Sequence, residues 1–226
     1  MPPTPSAFTS AFAPRDERAR AQHAAVERWV RRRLGTTGHE RRVAEISATV
    51  FELTAPLHAL HRSRDARLLR LAAMVHDVGR CVDDAEHPAH GAAMLLSDQS
   101  LPLGVAERRG LAYLTLYHRG GVPAVGDDDV LHPEDDRAGL LTLLGMLRCA
   151  DGLDSRSLES PRLVFALLAG SGAGRATLRV NCYLQTESEK ARRVYQRPKK
   201  FRLLEQTLGC RVEVDVASAQ ALRMVA

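Results

Sequence analysis

The stretch "LAAMVHDVGR", residues 71–80, decides how this chain folds. Its apolar half belongs to a pattern that predicts a helix over residues 64–78, buried on most of its sides. Gly79 is predicted to end that helix. His76 and Asp77 therefore lie at the exit of a buried helix. There they either cap the helix or supply half of a metal site.

Other histidines and aspartates also lie where helical patterns begin or end. They are His39, His87 with His90, His118, and Asp151 with Asp154. Each alone would more often be structural, because polar side chains commonly occupy helix ends. The ordered set of His, His-Asp, His, His and Asp instead predicts helix ends that converge on one site, as a helical bundle allows.

These residue types suit divalent metal ions. Imidazoles and carboxylates together favour Mn, Fe, Co, Ni or Zn, and Mg is suitable where carboxylates and water dominate. We predict one or two ions. The first position would use His39, His76, Asp77 and Asp151, and the second His87 and His118 with Asp77 bridging. Two ions held there would lower the pKa of a shared water molecule and make it a nucleophile at neutral pH.

Residues beside the predicted ligands are given supporting roles. Arg80 and Arg119 would neutralise negative charge in the transition state, although a surface ion pair is an equal alternative for either arginine. Together with the bridging Asp77 they are the predicted catalytic residues. His87 and His90 compete for one role, and we favour His87 as the ligand and His90 as its outer support. Asp154 would hold a histidine in the required tautomer.

The composition limits the classes of protein to which the chain can belong. With 226 residues, 45% of them apolar and 26% charged, the chain is globular and long enough for one large domain with a small appendage. No apolar run reaches the roughly 20 residues that cross a bilayer, so we expect no membrane partner. The four cysteines lack a C-x-x-C pair, which favours reduced thiols in a cytoplasmic protein.

The chain divides by pattern into a flexible leader (1–15), a helical domain (16–160) and a small α+β tail (161–226). Alternating apolar residues predict strands in "RATLRVNCYL" and "CRVEVDV", with a helix between them that Pro198 must kink or split. The tail is therefore predicted to be strand, helix, strand.

The tail carries a basic run, "KARRVYQRPKKFR", residues 190–202, with seven basic residues and no acidic one. It either binds a polyanion or is the solvated face of a helix. We assign Arg197, Lys199 and Lys200 to the substrate. The alternative is that the run binds nucleic acid.

The motifs "GHERRVAEIS", "LAAMVHDVGR", "HPAHGAAML", "YHRG" and "LRCADGLDSRS" resemble the HD superfamily of metal-dependent phosphohydrolases. Across residues 37–216 they most resemble the C-terminal HD-type half of the exopolyphosphatase and guanosine pentaphosphate phosphohydrolase family. The resemblance implies a mainly α fold, an HD-domain helical bundle with a small C-terminal α+β appendage. "HPAHGAAML" also resembles the H-P-x-x-G segment of two-metal HD enzymes, in which the first histidine binds metal, and this favours His87.

The resemblance implies a phosphohydrolase that cleaves a phosphoester or phosphoanhydride with a metal-activated water. The expected substrate is a phosphorylated small molecule such as a nucleotide, or a polyphosphate-like compound. In the family, cleavage of polyphosphate takes place in N-terminal actin-like domains, which 226 residues cannot contain, so that mechanism does not transfer. The alternatives are a non-catalytic polyanion- or nucleic-acid-binding module and a regulatory partner of a separate phosphatase domain. The sequence leaves open whether the chain forms a homodimer.

Overall fold

The computed structural model of the protein describes residues 13–124, 128–170, 174–186 and 188–219. These residues form a mainly helical protein with a small three-stranded sheet near its C-terminal end, which confirms the predicted fold class. Every described helix is too short or too polar to span a bilayer.

Six helices precede the sheet in the described residues: α1 (Ala13–Leu34), α2 (Gly38–Leu53), α3 (Arg64–Val75), α4 (His87–Ser97), α5 (Val105–Tyr117) and α6 (Arg137–Gly152). Helix α1 begins three residues before the predicted start of the helical domain, and residues 1–12 of the predicted leader lie outside the described residues. Gly35 ends α1 with a left-handed φ of 76° that glycine adopts without strain.

Helix α3 is the centre of the helical part, with all five residues from Leu71 to Val75 buried. It packs against α1, α2, α5 and α6. The prediction that this helix extends to residue 78 and is ended by Gly79 is wrong, because α3 ends at Val75 and a short 3-10 turn occupies Val78–Cys81. Gly79 is needed for close approach instead. A Cβ atom there would overlap the backbone of His87 at the start of α4.

The sheet has the order β1–β2–β3, formed by β1 (Arg162–Leu168), β2 (Thr177–Leu184) and β3 (Arg211–Ser218). Strand β1 is antiparallel to β2, and β3 is parallel to β2. The predicted strand, helix, strand tail was incomplete because it lacked β1. The sequence of β1, "RLVFALL", is a continuous apolar run without strict alternation, and periodicity alone does not separate such a strand from a buried helix.

The predicted helix between β2 and β3 is divided at Pro198, as expected. Helix α7 (Glu189–Tyr195) is followed by a 3-10 turn (Pro198–Lys200) and then by α8 (Arg202–Leu208). Helix α8 packs on α6 and fixes the tail to the helical part. The contact is close because α6 has Gly145 there, where a Cβ atom would lie 2.9 Å from the backbone nitrogen and Cα of Leu204.

This contact predicts that a Gly→Ala substitution in α6 destabilises the protein, contrary to its usual effect in a helix. In a free helix Gly→Ala stabilises by about 1 kcal/mol, but at Gly145 the methyl group would push α8 off α6. We expect Gly145→Ala to lower the free energy of unfolding by about 1–3 kcal/mol, measured by urea denaturation. Gly110→Ala in α5 is the matched control. It is also a buried helical glycine, but its Cβ would be 3.4 Å from the nearest leucine side chains, so we expect no loss of stability.

Candidate metal centre

The helix ends bring all six predicted ligands together at one place. Two groups of nearby donor atoms result, the first formed by His39, His76 and Asp151, and the second by Asp77, His87 and His118. His39 comes from the start of α2, His87 from the start of α4 and Asp151 from the end of α6, while the other three follow α3 and α5. The convergence arises because these helices pack with the relevant ends on one side of the bundle.

The four histidines are held so that each Nε2 is directed inward. Three of them donate Nδ1–H to the carbonyl oxygen three residues earlier, His76 to Ala73 (2.8 Å), His87 to Asp84 (2.7 Å) and His118 to Thr115 (2.6 Å). His39 Nδ1 instead lies 2.8 Å from Asp154 Oδ2. A carbonyl oxygen can only accept, so the three carbonyl contacts place a proton on Nδ1 of His76, His87 and His118, and in the neutral imidazole Nε2 is then the electron-pair donor.

The distances between donor atoms fit a first-row metal ion. Ligands bonded at about 2.1 Å lie about 3.0–3.4 Å apart around a common ion. In the first group, Asp151 Oδ1 is 3.5 Å from His39 Nε2 and 3.7 Å from His76 Nε2. In the second, Asp77 Oδ1 is 3.1 Å from His87 Nε2 and 3.4 Å from His118 Nε2. These separations need only a small contraction to coordinate an ion.

A second observation also points to a metal. His76 is fully buried, and its Nε2 has no hydrogen-bond partner among the described residues. A buried polar atom without a partner costs free energy, so such an atom indicates a missing ligand or ion. Because Nε2 of His76 lies 3.7 Å from both Asp77 Oδ1 and Asp151 Oδ1, a cation between these groups would satisfy it.

Asp77 contacts both groups, as the predicted bridging role requires. Its Oδ1 faces the three buried histidines, and its Oδ2 lies 4.0 Å from His39 Nε2. The carboxylate is therefore within reach of either metal position.

The electrostatics keep the carboxylates ionised. Burial opposes ionisation of Asp77 and Asp151, but neighbouring histidines and, for Asp151, Lys200 outweigh it, and the pKa of each falls well below its usual range. Burial lowers the pKa of His118, which favours the neutral imidazole that a metal needs. Burial would also lower the pKa of His39, but contacts with Asp151 and Asp154 raise it to about 9.

Each metal-facing carboxylate divides its two oxygens between imidazoles and a cation. Asp151 Oδ2 accepts from Lys200 Nζ at 2.5 Å, whereas its Oδ1 faces the first histidine pair. Asp77 Oδ2 accepts from Arg156 Nε at 3.0 Å, with Arg80 Nη1 at 3.6 Å. The cations compensate the buried negative charge through Oδ2, while Oδ1 of each carboxylate faces its nearest histidines.

A cavity of about 300 Å³ opens beside these groups. Its lining includes five cationic side chains, those of Arg80, Arg119, Arg156, Arg197 and Lys200. Val194 supplies its one aliphatic side chain within the described residues. Three carboxylates, those of Asp77, Asp151 and Asp154, also line it, so cationic side chains exceed acidic ones and the cavity suits an anionic molecule.

The structure separates some predicted site residues from this centre. His90 is half-buried and belongs to neither donor group, while Asp154 contacts His39 as predicted. Arg119 is exposed but lines the cavity, as does Arg197, whereas the exposed Lys199 is not among the lining residues. The basic run therefore contributes two of its three assigned residues to the cavity wall.

Sequence reasoning missed Arg156 and its partner Glu40. Arg156 contacts Asp77 and forms an ion pair with Glu40, which is completely buried. Both residues neighbour motifs that were recognised, since Glu40 follows His39 and Arg156 lies two residues after Asp154. Their separation of 116 residues hides the pairing itself.

Comparison with protein families agrees with this arrangement. The model of the family described as Ppx/GppA phosphatase, domain III, matches residues 26–169, which is more than half of the chain. The chain belongs to this family. The predicted relationship to exopolyphosphatases is thus confirmed at family level, although the match ends before β2, whereas the resemblance was expected to extend to residue 216. Ppx/GppA proteins are phosphatases by description. No curated protein matches the chain closely enough to count as a relative.

The two histidines of α4 in this Ppx/GppA domain provide a test of the metal centre. We expect His87→Gln to weaken Mn²⁺ binding by more than the roughly 10- to 100-fold that loss of an outer partner costs, because His87 Nε2 belongs to a donor group. His90→Gln should bind Mn²⁺ almost as tightly as the wild type. Titration calorimetry and the metal content of the purified proteins measure both.

His132→Gln controls for loss of an imidazole, since His132 is exposed and belongs to neither donor group. Equal weakening by the substitutions at His87 and His90 would contradict the assignment of His87 as ligand.

Proposed function

We propose that the protein is an HD-type metal-dependent phosphohydrolase that cleaves a phosphoester or phosphoanhydride. The observation that carries the proposal is the pair of donor groups joined by Asp77 at the base of a cation-lined cavity. The family, whose members are phosphatases, supports the same reaction class.

The residues fit one or two divalent ions from the series Mn, Fe, Co, Ni, Zn and Mg. His39, His76 and Asp151 would hold one ion, His87 and His118 the other, and Asp77 would contact both. Bound there, divalent ions would lower the pKa of water towards about 7 and so make hydroxide available at neutral pH. The mixture of imidazole and carboxylate donors supports transition metals over Mg²⁺.

The arginines at the cavity supply the charge that phosphoryl transfer needs. Arg80 forms an ion pair with the exposed Asp84 and lies near Asp77, which places its guanidinium beside the ligands. Arg119 follows His118 directly and makes no ion pair within the described residues, which leaves its donors available. Both would stabilise the negative charge that develops on phosphoryl oxygens.

The cavity favours a substrate that is recognised through its phosphates. Its described lining contains no Phe, Tyr or Trp on which a base could stack, and Arg197 and Lys200 of the basic run face it. The position of these two residues supports a role of the run in substrate binding over a separate nucleic-acid surface. A nucleotide or a polyphosphate-like compound fulfils these requirements.

Hydrolysis assays test the proposal against a binding module that does no chemistry. We expect the Mn²⁺-loaded protein to release phosphate or nitrophenol from at least one of three substrate types, nucleotides, bis-p-nitrophenyl phosphate or polyphosphate. Asp77→Asn should reduce the rate to background because it removes the negative charge and one oxygen of the ligand common to both positions. The exposed Asp129→Asn should keep wild-type activity. A metal-loaded protein that is inactive on all these compounds would favour the binding module.

A further inference from the structure

Arg156 bridges two acidic residues from different parts of the bundle. Its Nε donates to Asp77 Oδ2 at 3.0 Å, and its Nη2 donates to Glu40 Oε1. One edge of the planar guanidinium is thereby shared between a predicted metal ligand and a carboxylate from α2. The orientation of the whole group follows from these two contacts, because a guanidinium is rigid.

Glu40 is a buried ion-pair partner of Arg156. Its side chain is 0% exposed, and its second oxygen, Oε2, is buried without a hydrogen-bond partner among the described residues. Arg156 is the one cation that forms an ion pair with Glu40 in the described part of the chain. A buried carboxylate strongly disfavours loss of its only charge partner, so Glu40 holds Arg156 in place.

The end of the guanidinium, which is formed by Nη1 and the second N–H of Nη2, retains free donors. Arginine has five N–H groups, and Arg156 uses two of them in the contacts to Asp77 and Glu40. Within the described residues, Nη1 makes no hydrogen bond. The side chain is 30% exposed and lines the cavity beside Asp77. The free edge therefore belongs to a fixed cation next to the metal ligands.

Other cavity cations differ in this respect. Lys200 directs its single ammonium group to Asp151, and Arg80 uses its Nη2 on Asp84, whose side chain is 74% exposed. Arg119 and Arg197 are exposed and make no ion pair within the described residues. Arg156 combines a buried anchor with unused donors, which is the arrangement that recognises a planar pair of phosphate oxygens.

We propose that Arg156 binds a phosphoryl group of the substrate through the guanidinium edge formed by Nη1 and Nη2, with Glu40 as its positioning residue. The assignment rests on the proposed function, because it deepens the account of the same site. It makes Arg156 a substrate-binding residue whose geometry a lysine does not reproduce.

The test measures phosphate and metal binding separately, with inorganic phosphate and Mn²⁺ as the probes. Arg156→Lys keeps a positive charge opposite Asp77 and Glu40 but removes the planar pair of N–H donors. We expect its dissociation constant for phosphate, measured by calorimetry on the Mn²⁺-loaded protein, to rise by about tenfold or more. Its dissociation constant for Mn²⁺ in the absence of phosphate should rise by less than its dissociation constant for phosphate, because every predicted ligand remains and lysine keeps a cation beside Asp77.

A double variant covers the risk that a single change unfolds the protein. Glu40→Gln with Arg156→Gln removes both charges of the Glu40–Arg156 pair, so position 40 has no unpaired buried carboxylate, and Asp77 keeps its contacts with Arg80 and the histidines. We expect this variant to melt near the wild-type temperature and to bind phosphate weakly. Arg202→Lys is the control, because Arg202 is exposed and is not among the residues lining the cavity.

The outcomes separate this inference from the proposed function. Wild-type phosphate affinity in both Arg156 variants would overturn it, as would a wild-type protein that binds Mn²⁺ but no phosphate. A matching loss of Mn²⁺ and phosphate affinity in Arg156→Lys would also overturn it, since Arg156 would then act only through Asp77. If the wild type hydrolyses nothing but phosphate affinity still depends on Arg156, the proposed function fails and the phosphate-binding assignment stands.

Discussion

The compensation of one buried carboxylate, Asp77, determines much of this structure. Asp77 is 3% exposed, and a carboxylate at that depth is tolerated only with charged or hydrogen-bonding partners around it. Those partners arrive from four directions, since His76 precedes it, His87 begins α4, His118 follows α5 and Arg156 follows α6. The helix ends must therefore meet around one anion, and the apolar surfaces of the bundle have to pack in a way that permits it.

Glycines make this meeting possible. The turn after Asp77 lies against the start of α4 so closely that a Cβ at Gly79 would collide with the backbone of His87 and Gly91. Gly91 in turn leaves space for Thr115, whose Cγ2 would lie 2.8 Å from an added Cβ. Thr115 also accepts the hydrogen bond that orients His118. Backbone packing therefore determines the geometry of the predicted ligands. The glycines that allow the backbone segments to approach one another lie next to the residues that face the site.

The regular pattern of the chain predicted the helices and the convergence of six polar side chains. Apolar residues at helical spacing located α2 to α6, and polar residues at the ends of these helices located the six side chains that the structure brings together. Such residues can be recognised in the sequence because a histidine and an aspartate together at the end of a buried helix have few structural roles. Strand β1 was missed because its apolar run carries no alternation, and its place in the sheet depends on pairing with β2.

Long-range pairing was the other feature that the sequence did not reveal. Glu40 and Arg156 look like ordinary surface charges in the sequence, and burial of Glu40 arises only when α2 and α6 pack. Gly79 likewise resembles a helix terminator, although its function is to admit another backbone. In each case tertiary packing gives the residue a role that the local sequence pattern does not show.

The tail completes the charge balance of the site. The helical part supplies the imidazoles and carboxylates, while the turn after α7 supplies Lys200, whose ammonium group contacts Asp151. Gly152 permits this approach, since a Cβ there would be 2.9 Å from Lys200 Cβ. Lys200 and Arg156 thus hold the outer oxygens of the two carboxylates and also line the cavity. In the proposed function, these two cations already compensate the charge of the carboxylates. A divalent ion adds positive charge to a region already compensated, and an anionic substrate restores the balance. Metal and phosphate compound should therefore each favour binding of the other, because each offsets the charge that the other brings.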